Sequence, residues 1–309
     1  MITPRRLRID TSTHCQLKCP ACPNKSLGET DVGKGFIDLD DYKRLLDNIK
    51  RIEIGNWGEP FLHPKMSELF ELSQNIKVGI LSNLNSIKDD VIESLVRFKV
   101  DKIVVSLDGA SQTTYEQYRV NGNFEQVLRN VEKINTMKRR FKSRFPVLVW
   151  QFLAFGFNEH EIQKAKQMAR FLNMEWSMAL PTEMDFRKGD YACDLSPIMD
   201  KDLVRNELGF ATLDEQKEAW GAFRDFGVCL NLWDEPSINW DGKNLGCCTS
   251  LKEFGGNAFE DFVGSMNTET MNYARDMVRG RVPAKGGIPC SDCLAYKMME
   301  RDGTWLTRD

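Results

Sequence analysis

A chain of 309 residues with 41% hydrophobic and 28% charged side chains has an ordinary globular composition. That excludes a disordered polymer and allows two domains, or one barrel-sized domain with an appendage. Its 42 basic and 45 acidic side chains leave a net charge of −3, against a nucleic-acid binder held by phosphate contacts.

Short β-branched runs predict strands at 7–10, 51–55, 77–82, 102–108, 147–153 and 175–179. Helical stripes fall between them. Leu39, Tyr42, Leu45, Leu46 and Ile49 share one face, with Asp38 placed to cap. Val91, Ile92, Leu95 and Val96 form a second stripe. Phe124, Val127, Leu128, Val131, Ile134 and Met137 form a third, with Asn123 as cap. Ile162, Ala165, Met168, Ala169 and Leu172 form a fourth. Strands recurring after helix-length gaps predict six βα units and a parallel sheet over 1–182, either open or curled toward a barrel. Ligands gather at the carboxyl ends of such strands. The pattern breaks at 183–225, a charged bridging region with a weak helix near 213–226. Residues 226–309 are Gly-, Trp- and Cys-rich with few periodic stripes, and are expected to form a second domain.

No apolar run reaches the ~20 residues of a membrane span, and the start lacks a signal-peptide core. The expectation is a cytoplasmic protein with no membrane and no nucleic-acid partner. A reduced compartment disfavours disulfides, so the clustering of the nine cysteines points to metal ligation or catalysis.

Cys15, Cys19 and Cys22 follow directly on the first predicted strand. Three thiolates on one loop can bind three corners of an iron–sulfur cubane and leave one iron open. A zinc loop borrowing His14 or a distant ligand is the alternative. Gly58 permits close approach of backbone to a ligand and tolerates positive φ, or simply makes a strand-end turn. Glu59 suits a cationic amine, or is a solvated charge. Arg119 reads equally as a surface helix arginine.

The spacing Cys15-x-x-x-Cys19-x-x-Cys22 after a first strand resembles the signature of radical S-adenosylmethionine (radical SAM) enzymes. Four further landmarks agree in order. Gly58-Glu59-Pro60 resembles the family's GEP motif, which implies contact with the cofactor's amino group. Ser82-Asn83 stands where the family approaches the ribose. Ser106-Leu107-Asp108-Gly109 resembles its "SLDG" strand ending. Arg119 stands where a cofactor-carboxylate arginine is found. Ala21 replaces a frequent aromatic, and Gln16 and Trp57 replace more usual residues. The resemblance implies a partial (βα)6 barrel and a [4Fe–4S] cluster with an open iron on Cys15, Cys19 and Cys22. It also implies S-adenosylmethionine cleaved to a 5′-deoxyadenosyl radical, and an electron donor such as flavodoxin or ferredoxin.

Cys229, Gly242-x4-Cys247 and Cys290-Ser-Asp-Cys293 resemble the SPASM/Twitch auxiliary-cluster domains of that family. The resemblance implies one auxiliary [4Fe–4S] cluster on Cys229, Cys247, Cys290 and Cys293. A four-cysteine zinc ribbon suits the same residues. Cys193 and Cys248 are left over. Each is a buried inert thiol, a hydrogen-atom donor as in radical SAM epimerases, or a substitute ligand. The basic run 138–144 reads as a solvated helix end. His63 reads as structural, His14 as packing, and Trp233, Trp240 and Trp305 as core.

A first βα unit within the opening dozen residues leaves no room for an N-terminal peptide-recognition domain, which tilts the expectation toward a small molecule. The expected reaction is epimerisation or dehydrogenation at a C–H bond of a carbohydrate- or aminocyclitol-like substrate. A peptide-modifying maturase, epimerising or crosslinking, is one alternative. A non-catalytic zinc or iron–sulfur binding protein is the other.

Overall fold

A computed structural model describes residues 1–179, 230–303 and 305–306. Cys193, Cys229, the bridging region 183–225 and the helix expected near 213–226 lie outside the described residues.

Seven strands form one parallel sheet: β1 (Arg6–Ile9), β2 (Arg51–Ile54), β3 (Lys77–Ser82), β4 (Lys102–Ser106), β5 (Val147–Leu153), β6 (Glu175–Ala179) and β7 (Ser237–Ile238). Their order is β6-β5-β4-β3-β2-β1-β7, so the sheet is open with β6 and β7 at its edges. Helices α1 (Leu39–Leu46), α2 (Met66–Leu72), α3 (Asp89–Arg97), α4 (Gln112–Tyr118), α5 (Phe124–Arg140) and α6 (Ile162–Phe171) lie in the crossovers. Parallel neighbours require such long returns. The expected caps form: Asp38 accepts from the Asp40 N–H and Asn123 from the Gln126 N–H, each at 2.8 Å.

Alternation along β5 shows how the sheet meets its helices. Leu148, Trp150 and Phe152 are buried, with Val147, Val149, Gln151 and Leu153 less so. Trp150 packs edge-on to Phe124 of α5, and its indole N–H donates to Leu107 O at 2.8 Å. A buried indole keeps its place only when that donor is satisfied.

A seventh strand from the C-terminal region adds to the six expected. Ser237–Ile238 pairs in parallel with Arg8–Ile9 of β1, and Arg8 reaches Glu235 at 3.2 Å. Two residues are too few to carry a periodic signal. Among the described residues three more helices follow: α7 (Phe262–Ser265), α8 (Glu269–Val278) and α9 (Leu294–Asp302). Ile238, Phe259, Phe262 and Met266 join the main core. Trp233, Phe254, Met271, Met277 and Cys290 build a second core, with Trp305 packed against it. Trp240 packs on the main core and donates to Val32 O at 3.0 Å. Among the described residues no helix is long and apolar enough to cross a membrane.

Candidate functional site

The loops leaving β1 and β2 are stitched together before any cysteine is reached. Asp10 is buried at the end of β1, and its Oδ1 accepts from the backbone N–H groups of Asn56 and Trp57 at 2.9 and 2.8 Å. Burial pushes its carboxyl up to about 7, against those donors. Asn24 donates to Thr13 O and Trp57 O, and the Glu59 N–H donates to His14 O at 2.8 Å. Gly58 is required by this contact: a Cβ there would strike Ser12 O and lie 2.6 Å from Thr13 Cα. Its neighbour is thus protein backbone, and the positive φ (100°) belongs to Gly55, which ends β2.

Cys15, Cys19 and Cys22 occupy the β1 loop among Leu17, Ala21, Tyr118 and Phe155. Cys19 is buried and the other two are half-buried. Burial raises the Cys15 thiol to about 12, with the Glu59 charge adding to it. Burial also raises Cys19, against the opposing charge of Arg119. Two of the sulfurs face N–H donors: Asn83 Nδ2 lies 3.6 Å from Cys15 and Arg119 Nη1 lies 3.7 Å from Cys19. His14 stacks on Phe36 at 4.5 Å. The neutral His63 ring accepts from the Lys65 N–H through Nδ1, which leaves Nε2 to donate to Ile37 O.

Glu59 is fully buried rather than solvated. It accepts from Ser82 Oγ at 2.7 Å, the Asn83 N–H at 2.8 Å and the Phe61 N–H at 3.1 Å. Burial raises it to about 7 against those hydrogen bonds. Pro60 opens the 3-10 turn Pro60–Leu62, so Glu59 fastens the end of β2 to the end of β3. Ser106 is buried at the end of β4.

Asp108, fully buried just past Ser106, accepts from the Leu153 N–H at 2.8 Å and from Arg119 Nε at 2.6 Å. Arg119 follows α4 and lies over the Tyr118 ring. Burial opposes its charge, yet Asp108 and Cys19 raise it well above the usual arginine value. Arg119 is therefore held beside the cysteine loop by Asp108 rather than solvated on a helix surface. Asn158 links the Asp108 and Leu153 carbonyls and accepts from the Phe155 N–H.

Among the C-terminal cysteines, Cys247 and Cys290 are buried, and Cys248 and Cys293 half-buried. Burial raises the Cys247 and Cys290 thiols. Cys248 and Cys293 raise Cys247 further; Cys247 and Cys293 do the same to Cys290. Asn231 Nδ2 lies 3.9 Å from Cys248 Sγ, and Asn56 Nδ2 donates to Cys248 O at 2.9 Å.

The β1 loop fits an iron–sulfur group by donor chemistry. Ligation needs thiolates, and here burial opposes ionisation while an amide N–H and a fixed cation favour it. Among the described residues, no three His, Cys, Asp or Glu side chains converge as they do on a single metal ion. Sequence reasoning missed Asp10, Asn24, Asn56 and Asn158. Each takes its meaning from partners distant in sequence or from the backbone it ties together.

A family model described as the radical SAM superfamily matches residues 9–169. The AdoMet-dependent heme synthase of Methanosarcina barkeri (strain Fusaro / DSM 804) is 26% identical over 176 residues, 55% of this chain and 48% of that enzyme. The chain thus spans about half the length of the curated relatives it matches. Streptococcus suis SuiB bound to precursor peptide SuiA superposes with a TM-score of 0.67 at 16% identity, over 96% of this chain and 71% of that one. BtrN in complex with AdoMet and 2-DOIA gives a TM-score of 0.52 at 14% identity, over 94% and 93% of the two chains.

Proposed function

The chain belongs to the radical SAM superfamily, and on that premise we propose that Cys15, Cys19 and Cys22 hold a [4Fe–4S] cluster at which S-adenosylmethionine is bound. Such a cluster and cofactor supply a 5′-deoxyadenosyl radical that removes a hydrogen atom from a substrate C–H bond. The observation that carries this reading is the β1 loop itself: three thiols, two of them facing N–H donors from Asn83 and Arg119.

The chain's residues divide the work. Gly58, Glu59 and Pro60 shape the cofactor side of the β2 loop, with Glu59 holding Ser82 and Asn83 in register. Asp108 holds Arg119 aimed at the cysteine loop, and Ser106 ends the strand beside them. The SPASM/Twitch reading assigns one auxiliary [4Fe–4S] cluster to Cys247, Cys290 and Cys293, with Cys229 as the fourth ligand. Its support is that Cys293 raises both the Cys247 and Cys290 thiols, and Cys247 also raises Cys290.

The proposed reaction is epimerisation or dehydrogenation of a carbohydrate- or aminocyclitol-like substrate. In epimerisation the Cys248 thiol returns a hydrogen atom to the substrate carbon from the opposite face. The sulfur radical then regains an electron from a flavodoxin- or ferredoxin-like donor and a proton from solvent. Its supports are the half-buried thiol and the Asn56 bond that ties its backbone to the β2 loop. Cys193 is the second candidate donor. In dehydrogenation the substrate radical left by hydrogen-atom abstraction instead gives up an electron to an oxidised auxiliary cluster and a proton to solvent. A peptide substrate is a second reading, favoured by the likeness to SuiB bound to SuiA over 96% of this chain.

Reconstituted, reduced protein given S-adenosylmethionine is expected to release 5′-deoxyadenosine, and Cys19→Ala to abolish that release. Deuterium from D2O in the product, lost in Cys248→Ala, supports epimerisation. An oxidised product without deuterium, formed at an unaltered rate by Cys248→Ala, rules it out.

A further inference from the structure

Asn83 follows β3 with both ends of its side-chain amide engaged. Its Oδ1 accepts from Gln16 Nε2 and from the backbone N–H of Asn85, each at 2.9 Å. A backbone N–H can only donate, so it fixes the oxygen on that side. The amide nitrogen must then face Cys15 Sγ, 3.6 Å away. The backbone is pinned as well, since the Asn83 N–H donates to Glu59 Oε2 at 2.8 Å.

Gln16 follows from Asn83. Its Nε2 is committed to Asn83 Oδ1, which leaves Gln16 Oε1 buried without a partner in the structure. A buried carbonyl left unpaired is costly, so this orientation is one the surroundings impose. Asn83 is itself buried, at 7% exposure.

An N–H donor facing a thiolate sulfur stabilises negative charge there. Reducing an iron–sulfur cluster by one electron adds negative charge, so the donor favours the reduced form and raises the potential. We infer that Asn83, held in orientation by Gln16, tunes the reduction potential of the centre on the cysteine loop through the Cys15 sulfur. Asn83 touches the ligand, and Gln16 is a positioning residue acting through it. The inference rests on the proposed ligation by Cys15.

The test is EPR-monitored potentiometry on reconstituted full-length protein without S-adenosylmethionine, following the signal that disappears in Cys15→Ala. Asn83→Leu is expected to lower the reduced-to-oxidised ratio at fixed potential about two- to tenfold; tenfold is ~59 mV for one electron. Asn83→Asp keeps the oxygen that Gln16 and Asn85 bond, loses the donor, and is expected to lower the ratio at least as far. It decides the matter should Asn83→Leu lose iron. Gln16→Leu is expected to shift the ratio in the same direction in the native background and not at all beside Asn83→Leu. Equal potentials in native, Asn83→Leu and Asn83→Asp proteins overturn the inference while leaving the proposed ligation standing. A Gln16→Leu shift that persists beside Asn83→Leu overturns the positioning role. Native protein with no signal dependent on Cys15 overturns both the ligation and the inference.

Discussion

Asn56 Nδ2 donates to the backbone carbonyl of Cys248 at 2.9 Å, across 192 positions of sequence. The donor sits on the loop that Asp10 braces and that leads into Gly58 and Glu59. The acceptor belongs to the adjacent thiols Cys247 and Cys248. One hydrogen bond therefore registers the C-terminal cysteine group against the β2 loop. In the main core the same registration is made by β7 beside β1.

Asn56→Ala is expected to remove this tether at a cost of about 0.5–1.5 kcal/mol. Release of 5′-deoxyadenosine continues, while deuterium incorporated from D2O into product falls. Mass spectrometry of both products checks this; an unchanged ratio of the two argues against a positioned Cys248.

Gly58→Ala places a methyl group against Ser12 O and Thr13 Cα, both backbone atoms of the β1 loop. Neither can rotate away. Overpacking of this kind costs roughly 1–3 kcal/mol, and it displaces the loop that bears Cys15. Lower melting temperature together with lower iron content is the expected pair of results. A fall in stability alone, at full iron content, would show that the β1 loop tolerates the shift.

Breaking the Asp108–Arg119 pair leaves Asp108 as a fully buried charge without its cation. Arg119→Ala is expected to destabilise by about 3–5 kcal/mol. Asp108→Asn combined with Arg119→Met removes both charges and is expected to recover much of that loss. Chemical denaturation of the three variants measures it. An additive double variant would contradict direct coupling of the two residues.

Asp10 supplies the pH dependence. Burial, opposed by the Trp57 and Asn56 N–H groups, raises its carboxyl from 3.8 to about 7. The folded chain therefore holds this proton more tightly than the unfolded chain. The stability so contributed is full below about pH 4 and is lost as pH rises through about 7. Asp10→Asn keeps the acceptor oxygen and cannot ionise. Its stability relative to the native protein should rise across that window, by at most about 1.4 kcal/mol per pH unit. Parallel urea-unfolding curves from pH 5 to pH 8 would contradict this.

Much of the fold was legible in the sequence because its units are local. The strands expected at 77–82, 147–153 and 175–179 agree with β3, β5 and β6 end to end. The run 102–108 extends past β4, since Asp108 leaves the strand to bind Leu153 and Arg119. The run 51–55 overreaches by Gly55, whose positive φ ends β2. Helix α4 was missed: Gln112–Tyr118 buries little besides Thr114, Tyr115 and Tyr118 and depends on the Ser111 cap. Helix α8 was missed although Met271, Ala274, Met277 and Val278 share its buried face. The cysteine loop was legible from spacing. Its neighbours were not, because Asp10 and Asn56, Gln16 and Asn83, and Asn56 and Cys248 meet only after the strands are aligned.

Iron, acid-labile sulfide and zinc per chain test the central claim most directly, on protein reconstituted without oxygen and on its Cys15→Ala/Cys19→Ala/Cys22→Ala variant. Two cubanes predict about eight irons and eight sulfides in the native chain and about four of each in the variant. Zinc in place of iron, or equal iron in both proteins, would contradict a cluster on the β1 loop.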